Sequence, residues 1–324
     1  MSESITQSST AGYSGEPITI WAIADGRQGH WNQVRGLIEA LARRVMVRDI
    51  AIPAPTRLTS LSHVATRRWP TTDPFPDPDL IIGAGHSTHL PMLVARTSRG
   101  GRAIVLLKPS APLNMFDLCL IPDVQVQQER PNVVATRGAI SRIRPSANLD
   151  PDEGIVLIGG PSKHCRWRTE SVAKQIFEVC SQAGDIHWQV STSRRTPLDM
   201  LDALRRLGLL NVTIVDGRKT DEAWLPEQLA RCGTAWVTSD SVSMIYECLT
   251  AGSRVGLLHV PLRNPRGKMG RILDGLIERR ELTQFGNWRR TNEMVSPKSA
   301  LNEADRCADE ILRRFFVQAR TRAA

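Results

Sequence analysis

The stretch ITIWAIADGRQGHWNQVRGLIEALARR, residues 18–44, sets the fold. Residues 18–24 are an apolar run of strand length that ends at Asp25-Gly26. After it Val34, Leu37, Ile38 and Leu41 recur at i, i+3, i+4 and i+7, which predicts a helix over 31–44 with one buried face. A strand, a glycine turn and a helix in that order begin a βαβ unit, whose strands are joined by crossovers and so lie parallel.

The same order continues outward. Strands are expected at 45–52, 80–83, 103–107, 118–121 and 133–136, with a helix at 90–99. A Pro/Asp-rich link over 144–153 then precedes a new strand at 155–158, and the pattern restarts. Helices are expected at 170–182, 198–207 and 225–231, and strands at 187–191, 212–215, 236–238 and 255–258. The fold class is α/β, with two Rossmann-like domains facing a central cleft, and ligands of such sheets bind at the carboxyl ends of the strands. The divisions are a disordered tail at 1–16, a first, acceptor-side domain at 17–145, a second, nucleotide-side domain at 153–300 and a C-terminal helix at 301–324. Ile311, Leu312, Phe315 and Phe316 share one face of that helix, which either crosses back over both domains or belongs to the second alone.

Composition narrows the class. With 324 residues, 41% of them hydrophobic and 23% charged, the chain has material for two ordinary cores. Residues 1–17 lack the basic and apolar regions of a signal peptide, and no apolar run reaches the roughly 20 residues of a membrane span. Cys119, Cys165, Cys180, Cys232, Cys248 and Cys307 form no C-x-x-C pair, so reduced core thiols are expected and structural zinc is not. Lys and Arg number 42 against 33 acids, a net +9 that favours anionic partners. Nucleic acid ranks last among these, because only 5% of residues are aromatic and no recognition motif is present.

Four loops could carry chemistry. In Asp25-Gly26-Arg27-Gln28-Gly29-His30 a strand end meets a helix start, a setting that favours an anion; the alternative is a glycine turn for chain reversal alone. His30 is a general-base candidate, since histidine is the side-chain type that titrates near neutrality. Asp49 reads as a loop carboxylate rather than a ribose ligand, because the glycines do not make G-x-G-x-x-G. A second Gly/His loop, Gly83-Ala84-Gly85-His86-Ser87-Thr88-His89, is expected to face the same crevice, unless His86 and His89 cap a helix or fill a polar pocket. With His30 these histidines would make only a weak metal site, as no Cys or carboxylate stands at ligand spacing.

In the second domain, Gly159-Gly160-Pro161-Ser162-Lys163-His164 offers backbone donors, a hydroxyl and a cation to a diphosphate, with Arg166 and Arg168 adding charge. In Ser239-Asp240-Ser241-Val242-Ser243-Met244 a polar turn opens a helix, with Asp240 as its expected N-cap. Glu247, four residues beyond Ser243, shares a face with it and could accept from ribose hydroxyls; the structural alternative is a capped helix with an exposed Glu. Lys268 and Arg271 place cations on a late helix. Asp77-Pro78-Asp79 and Asp150-Pro151-Asp152 match a loose D-x-D pattern but read as turns.

On Asp25-Gly-Arg-Gln-Gly-His30 with Gln33, Gly83-Ala-Gly-His86, Ile158-Gly-Gly-Pro-Ser-Lys-His164, Ser239-Asp-Ser-Val-Ser-Met244 with Glu247, and Lys268 with Arg271, the chain after residue 16 resembles the mitochondrial-fission ELM family. Bacterial members of that family look like GT-B glycosyltransferases. The Gly29-His30 and Gly83-Ala-Gly-His86 loops of this chain also resemble, more distantly, the acceptor-side loops of the peptidoglycan lipid-intermediate N-acetylglucosaminyltransferase, and Ser243 to Glu247 its nucleotide-side helix, although Ser239-Asp-Ser replaces its expected glycines.

The resemblance implies a metal-independent glycosyltransferase that takes a nucleotide-sugar as substrate, needs no cofactor, and serves a hydroxyl acceptor that is lipid-linked or envelope-related. His30, Asp25 and His86 would be catalytic. Gly159, Gly160, Ser162, Lys163, Asp240, Ser241, Ser243, Met244, Glu247, Lys268 and Arg271 would hold the nucleotide-sugar, and Gly26, Gly29, Gln33, Gly83, Gly85 and His89 would line the acceptor side. The expected location is cytoplasmic and peripheral to the inner face of an anionic membrane, with Arg57 and Arg67-Arg68-Trp69 as its contact. A nucleotide-sugar epimerase and a non-catalytic adaptor of the fission type are the alternatives.

Overall fold

A computed structural model of the chain describes residues 3–6, 16–55 and 75–317. The chain divides into two compact units, Met1–Arg142 with Glu303–Ala324, and Ile143–Asn302.

In the first unit the strands are β1 (Glu3–Thr6), β2 (Ile18–Ala24), β3 (Val47–Pro53), β4 (Leu80–Ala84), β5 (Arg102–Leu106), β6 (Leu118–Pro122) and β7 (Val133–Thr136). They form one sheet in the order β1-β3-β2-β4-β5-β6-β7. Strands β2 to β7 pair in parallel, as crossovers require, while β1 adds antiparallel to the β3 edge with Thr6 opposite Val47. Residues 3–6 lie inside the expected tail and so contribute an edge strand instead.

Helices α1 (Gln28–Ala42) and α2 (His86–Arg99) supply the crossovers. Alternate residues of each strand serve the two faces of the sheet. Ile20, Ala22, Ile82 and Ile104 pack with Leu37 and Leu41 of α1, and Trp21, Ile23, Ile81 and Val105 pack with Met92 and Ala95 of α2. Burial on both faces explains why these strands read as continuous apolar runs. Asp49 is not in a loop. It lies inside β3, buried, and pairs with Arg35 of α1.

The last helix, α9 (Glu303–Leu312), belongs to this first unit. Cys307, Ala308 and Ile311 are fully buried among the residues of the α1 face, with Leu312, Phe315 and Phe316 packed against them. Asp305 receives Arg43 at 2.6 Å and Arg44 at 2.7 Å.

The second unit has β8 (Asp150–Leu157), β9 (His187–Ser191), β10 (Val212–Val215), β11 (Cys232–Thr238), β12 (Arg254–Leu258) and β13 (Thr283–Gln284). Their order is β10-β9-β8-β11-β12-β13, all parallel. Around them lie α3 (Thr169–Gln182), α4 (Leu198–Arg205), α5 (Trp224–Leu229), α6 (Val242–Ala251), α7 (Lys268–Glu278) and α8 (Phe285–Thr291). The Asp150-Pro151-Asp152 segment, expected as a turn, opens β8. Its register against β11 jumps between Cys232 and Thr234, an irregularity that accommodates a proline with no N–H to give.

Among the described residues no helix is long and apolar enough to cross a membrane. Arg57 and Arg67-Arg68-Trp69 lie outside the described residues. All six cysteines are buried and free, and burial pushes the Cys119 and Cys180 thiols up to about 12.

Candidate functional site

In the first unit β2 ends at Ala24 and the chain turns through Asp25 and Gly26, whose φ of 78° is the left-handed conformation that favours glycine. Asp25 uses both carboxylate oxygens. Oδ1 accepts the Arg27 N–H at 3.0 Å, which fixes the turn, and Oδ2 meets His30 Nδ1 at 2.7 Å. The Asp25 side chain is 4% exposed and that of His30 22%. A carboxylate can only accept, so Nδ1 is the nitrogen that donates; Nε2 is the ring atom left for a ligand, and no described residue is hydrogen-bonded to it.

The second Gly/His loop meets this pair through backbone. Gly85 has φ 96°, and a Cβ there would overlap Asp25 Oδ2 and His30 Nδ1. The two loops therefore converge within one unit. Helix α2 begins at His86, four residues earlier than the apolar periodicity indicates, because Thr88 donates its hydroxyl to the Gly85 carbonyl at 2.8 Å and closes the first turn. His86 is exposed at that first position and is hydrogen-bonded to neither Asp25 nor His30.

The remaining residues expected on the acceptor side have other occupations. His89 is buried, 3.3 Å from the Ser110 hydroxyl and edge-on to Phe116, and burial followed by the neighbouring His86 pulls its pKa down. It is a polar core residue. Gly83 is a β4 residue whose missing side chain admits Met92 and Thr88 of α2. Gln33 gives its amide to the Gly29 carbonyl of its own helix at 3.3 Å, and Gly29 faces open space.

In the second unit the loop after β8 lies against the loop after β11. Gly159 N–H donates to Thr238 Oγ1 at 2.8 Å, and Gly160 N–H donates to Asp240 Oδ2 at 3.0 Å. These amides, expected to hold a diphosphate, are thus committed inside the protein. The glycines serve close approach: a Cβ on Gly159 would overlap the Asp240 carboxylate, and one on Gly160 the Arg195 carbonyl.

Asp240 is also not the N-cap of α6. Its side chain is fully buried, held by Gly160 N–H and by Arg195 Nη2 at 3.0 Å, so Ser241 takes the cap position without a side-chain cap bond. The amides of Val242, Ser243 and Met244 at the start of α6 have no intrahelical acceptor, and Ser243 is exposed there. Glu247, one turn on, lies deep yet keeps part of its surface accessible, and burial pushes its carboxyl up to about 7.

Arg195 escaped the sequence reading. It bonds the Gly160 carbonyl at 2.9 Å as well as Asp240, and its side chain remains 43% exposed. Ser193 and Thr196 of the same loop fasten the Gly159 carbonyl. The signal was present as Ser191-Thr-Ser-Arg-Arg-Thr-Pro197, an acid-free polar run directly after a strand. Ser162 is turned into its own loop, accepting His164 N–H at 3.2 Å, while Lys163 is exposed. Lys268 opens α7 and Arg271 bonds the Arg266 carbonyl at 3.3 Å, both exposed.

The family model for mitochondrial fission ELM1 matches residues 28–315, nearly the whole span that holds both loop systems. The chain belongs to the mitochondrial fission ELM1 family. No curated protein sequence matches it. Among solved structures this family member is similar to a Listeria monocytogenes protein assigned as a UDP-N-acetylglucosamine 2-epimerase, at 11% identity over 92% of this chain and 97% of that one, with a TM-score of 0.59. The UDP-GlcNAc 2-epimerase of Methanocaldococcus jannaschii gives 9% identity, 91% and 99% coverage and a TM-score of 0.55. S. aureus MnaA in its UDP co-structure gives 13%, 91%, 96% and 0.51. At these identities the likeness establishes the fold, a GT-B-like pair of Rossmann-like α/β units.

Proposed function

We propose that this ELM1-family protein is a glycosyltransferase that moves a sugar from a nucleotide-sugar donor to a hydroxyl acceptor without a metal ion. The observation that carries the reading is the Asp25–His30 pair, buried on the carboxylate side and open at Nε2. In the reaction Nε2 takes the proton of the acceptor hydroxyl while that oxygen bonds to the anomeric carbon. The bond from that carbon to the diphosphate oxygen breaks, and its electrons leave with the diphosphate. Asp25 orients the ring and stabilises the imidazolium that forms.

The donor is assigned to the second unit. Its diphosphate meets the free amides of Val242, Ser243 and Met244 and the exposed edge of Arg195, with Ser162, Lys163, Lys268 and Arg271 adding hydroxyl and charge around it. Glu247 meets the ribose hydroxyls. Gly159, Gly160 and Asp240 shape this site from behind rather than touch the ligand. The departing charge is assigned to these amides and cations.

A panel of nucleotide-sugars added to the isolated protein tests the reading; absence of both binding and donor hydrolysis with every member would sink it. The similarity to UDP-GlcNAc 2-epimerases favours a second reading, an epimerase of a nucleotide-sugar. An isomerised donor formed without any acceptor would select it. A lipid-linked acceptor at an anionic inner leaflet accords with the net +9. Sedimentation with acidic but not neutral vesicles, fading as salt rises, is the expected result; equal partitioning to both vesicle types would exclude it.

A further inference from the structure

Among the described residues the sheet of the first unit is covered unevenly. One face carries α1 and α9, and the other carries α2, but the connection from β6 to β7 holds only a 3₁₀ turn at Asp123–Gln125 where a doubly wound sheet would place a helix. Ile121 of β6 and Val133 of β7 lie on the α2 face, in the same apolar layer as Met92, Val94 and Ala95. In place of a helix there is a crevice of about 330 Å³.

Its apolar wall is Leu113, Ile121, Val126 and Val133, of which Ile121 is buried and the others half-buried. Lys108 and Arg130 stand at its rim, and no acidic residue lines it. Lys108 donates to Gln127 at 3.1 Å, which keeps the ammonium at the mouth. Among the described residues neither cation is ion-paired with a carboxylate. Two uncompensated cations beside an apolar wall match a molecule with an anionic head and an apolar body. The volume is at the lower end of the roughly 300–1,000 Å³ range of small-molecule sites.

We propose that this crevice is a second ligand site of the first unit, taking a small anionic amphiphile with its phosphate or carboxylate between Lys108 and Arg130 and its chain on Leu113, Ile121, Val126 and Val133. The site is separate from the Asp25–His30 pair and stands whether or not the protein transfers sugar.

Calorimetry on the full chain with n-octyl phosphate, n-octanol and inorganic phosphate tests it, since the three probes carry head and tail, tail alone and head alone. The expected result is octyl phosphate at least about tenfold tighter than either of the others. Lys108→Ala with Arg130→Ala, at exposed positions, should reduce octyl phosphate to the level of octanol and leave octanol unchanged. Val126→Trp, which fills the crevice, should remove both, with an unchanged melting temperature showing that the unit still folds. Octyl phosphate no tighter than inorganic phosphate, or the double variant binding it as wild type does, would overturn the proposal. Vesicles of phosphatidylcholine with and without phosphatidic acid identify the source of the head group. Capture by the acidic vesicles that Val126→Trp abolishes places it on a bilayer lipid, and octyl phosphate binding without capture places it on a soluble molecule.

Discussion

Burial changes the chemistry of Glu247. Its carboxyl, ordinarily near 4.5, is pushed up to about 7 by burial, so near neutrality it is divided between a donor and an acceptor form. The folded value lies above the unfolded one, so the native state binds the extra proton as pH rises past about 4.5. The stability this lends is complete below that value and is lost as pH climbs through about 7. Glu247→Gln should therefore match wild type in urea unfolding at pH 4.5 and exceed it at pH 8 by up to about 3 kcal/mol. Equal stabilities at both values would show that the carboxyl is not desolvated. Gly85 offers a steric test at the same scale. Gly85→Ala forces a Cβ onto Asp25 and His30 at a φ of 96° and should destabilise by about 1–3 kcal/mol and remove donor turnover. Gly29→Ala, where open space surrounds the Cβ, should stay within about 0.5 kcal/mol of wild type. Equal effects of the two in denaturant titrations would deny the close approach of the loops.

At the scale of elements, the strands were legible because parallel strands buried on both faces need unbroken apolar runs, and β2, β4, β6 and β12 end close to where those runs end. Loop occupations were far less legible. Gly159-Gly160 and Ser239-Asp240-Ser241 were marked as one site by position after a strand, but a sequence does not say whether an amide points at a ligand or at a neighbouring loop. The amides of Gly159 and Gly160 point at Thr238 and Asp240. Arg195 was missed for the same reason, since its partner Asp240 stands 45 residues away in the chain. The consequence is measurable. Asp240→Asn keeps an acceptor for Gly160 but loses the charge that fixes Arg195, so it should weaken UDP binding without unfolding the unit. Arg195→Ala should weaken it by about 1.5–3 kcal/mol, the worth of charge-assisted bonds to the diphosphate, and leave uridine unaffected. Calorimetry with UDP and uridine reads both effects, and an equal loss for the two ligands would show that Arg195 acts on the loop and not on phosphate.

For the whole molecule, the sequence marks the restart of the βαβ order near residue 150 but leaves open where the chain's last helix goes, because an amphipathic helix of that length fits any apolar face. Contacts settle it: α9 lies on the α1 face of the first unit although it follows the entire second unit in sequence. Its Cys307, Ala308 and Ile311 are fully buried there, Asp305 joins Arg43 and Arg44, and Glu303 accepts the Arg137 N–H at 3.0 Å. A core built from both ends of the chain makes the stability of the first unit depend on the last residues, while the second unit has a core of its own around Trp188 and Trp236. Ile311→Ala deletes a buried side chain against Val34, Leu37 and their neighbours and should cost about 2–5 kcal/mol in the first unit. Asp305→Ala, at a partly exposed ion pair, should cost nearer 1 kcal/mol. Amide hydrogen exchange in graded urea separates the units. Under Ile311→Ala the amides of β2 and β4 should lose protection at lower urea while those of β8 and β11 keep theirs. If β8 and β11 lose as much as β2 and β4, the two units unfold as one body and the C-terminal helix stabilises the entire chain.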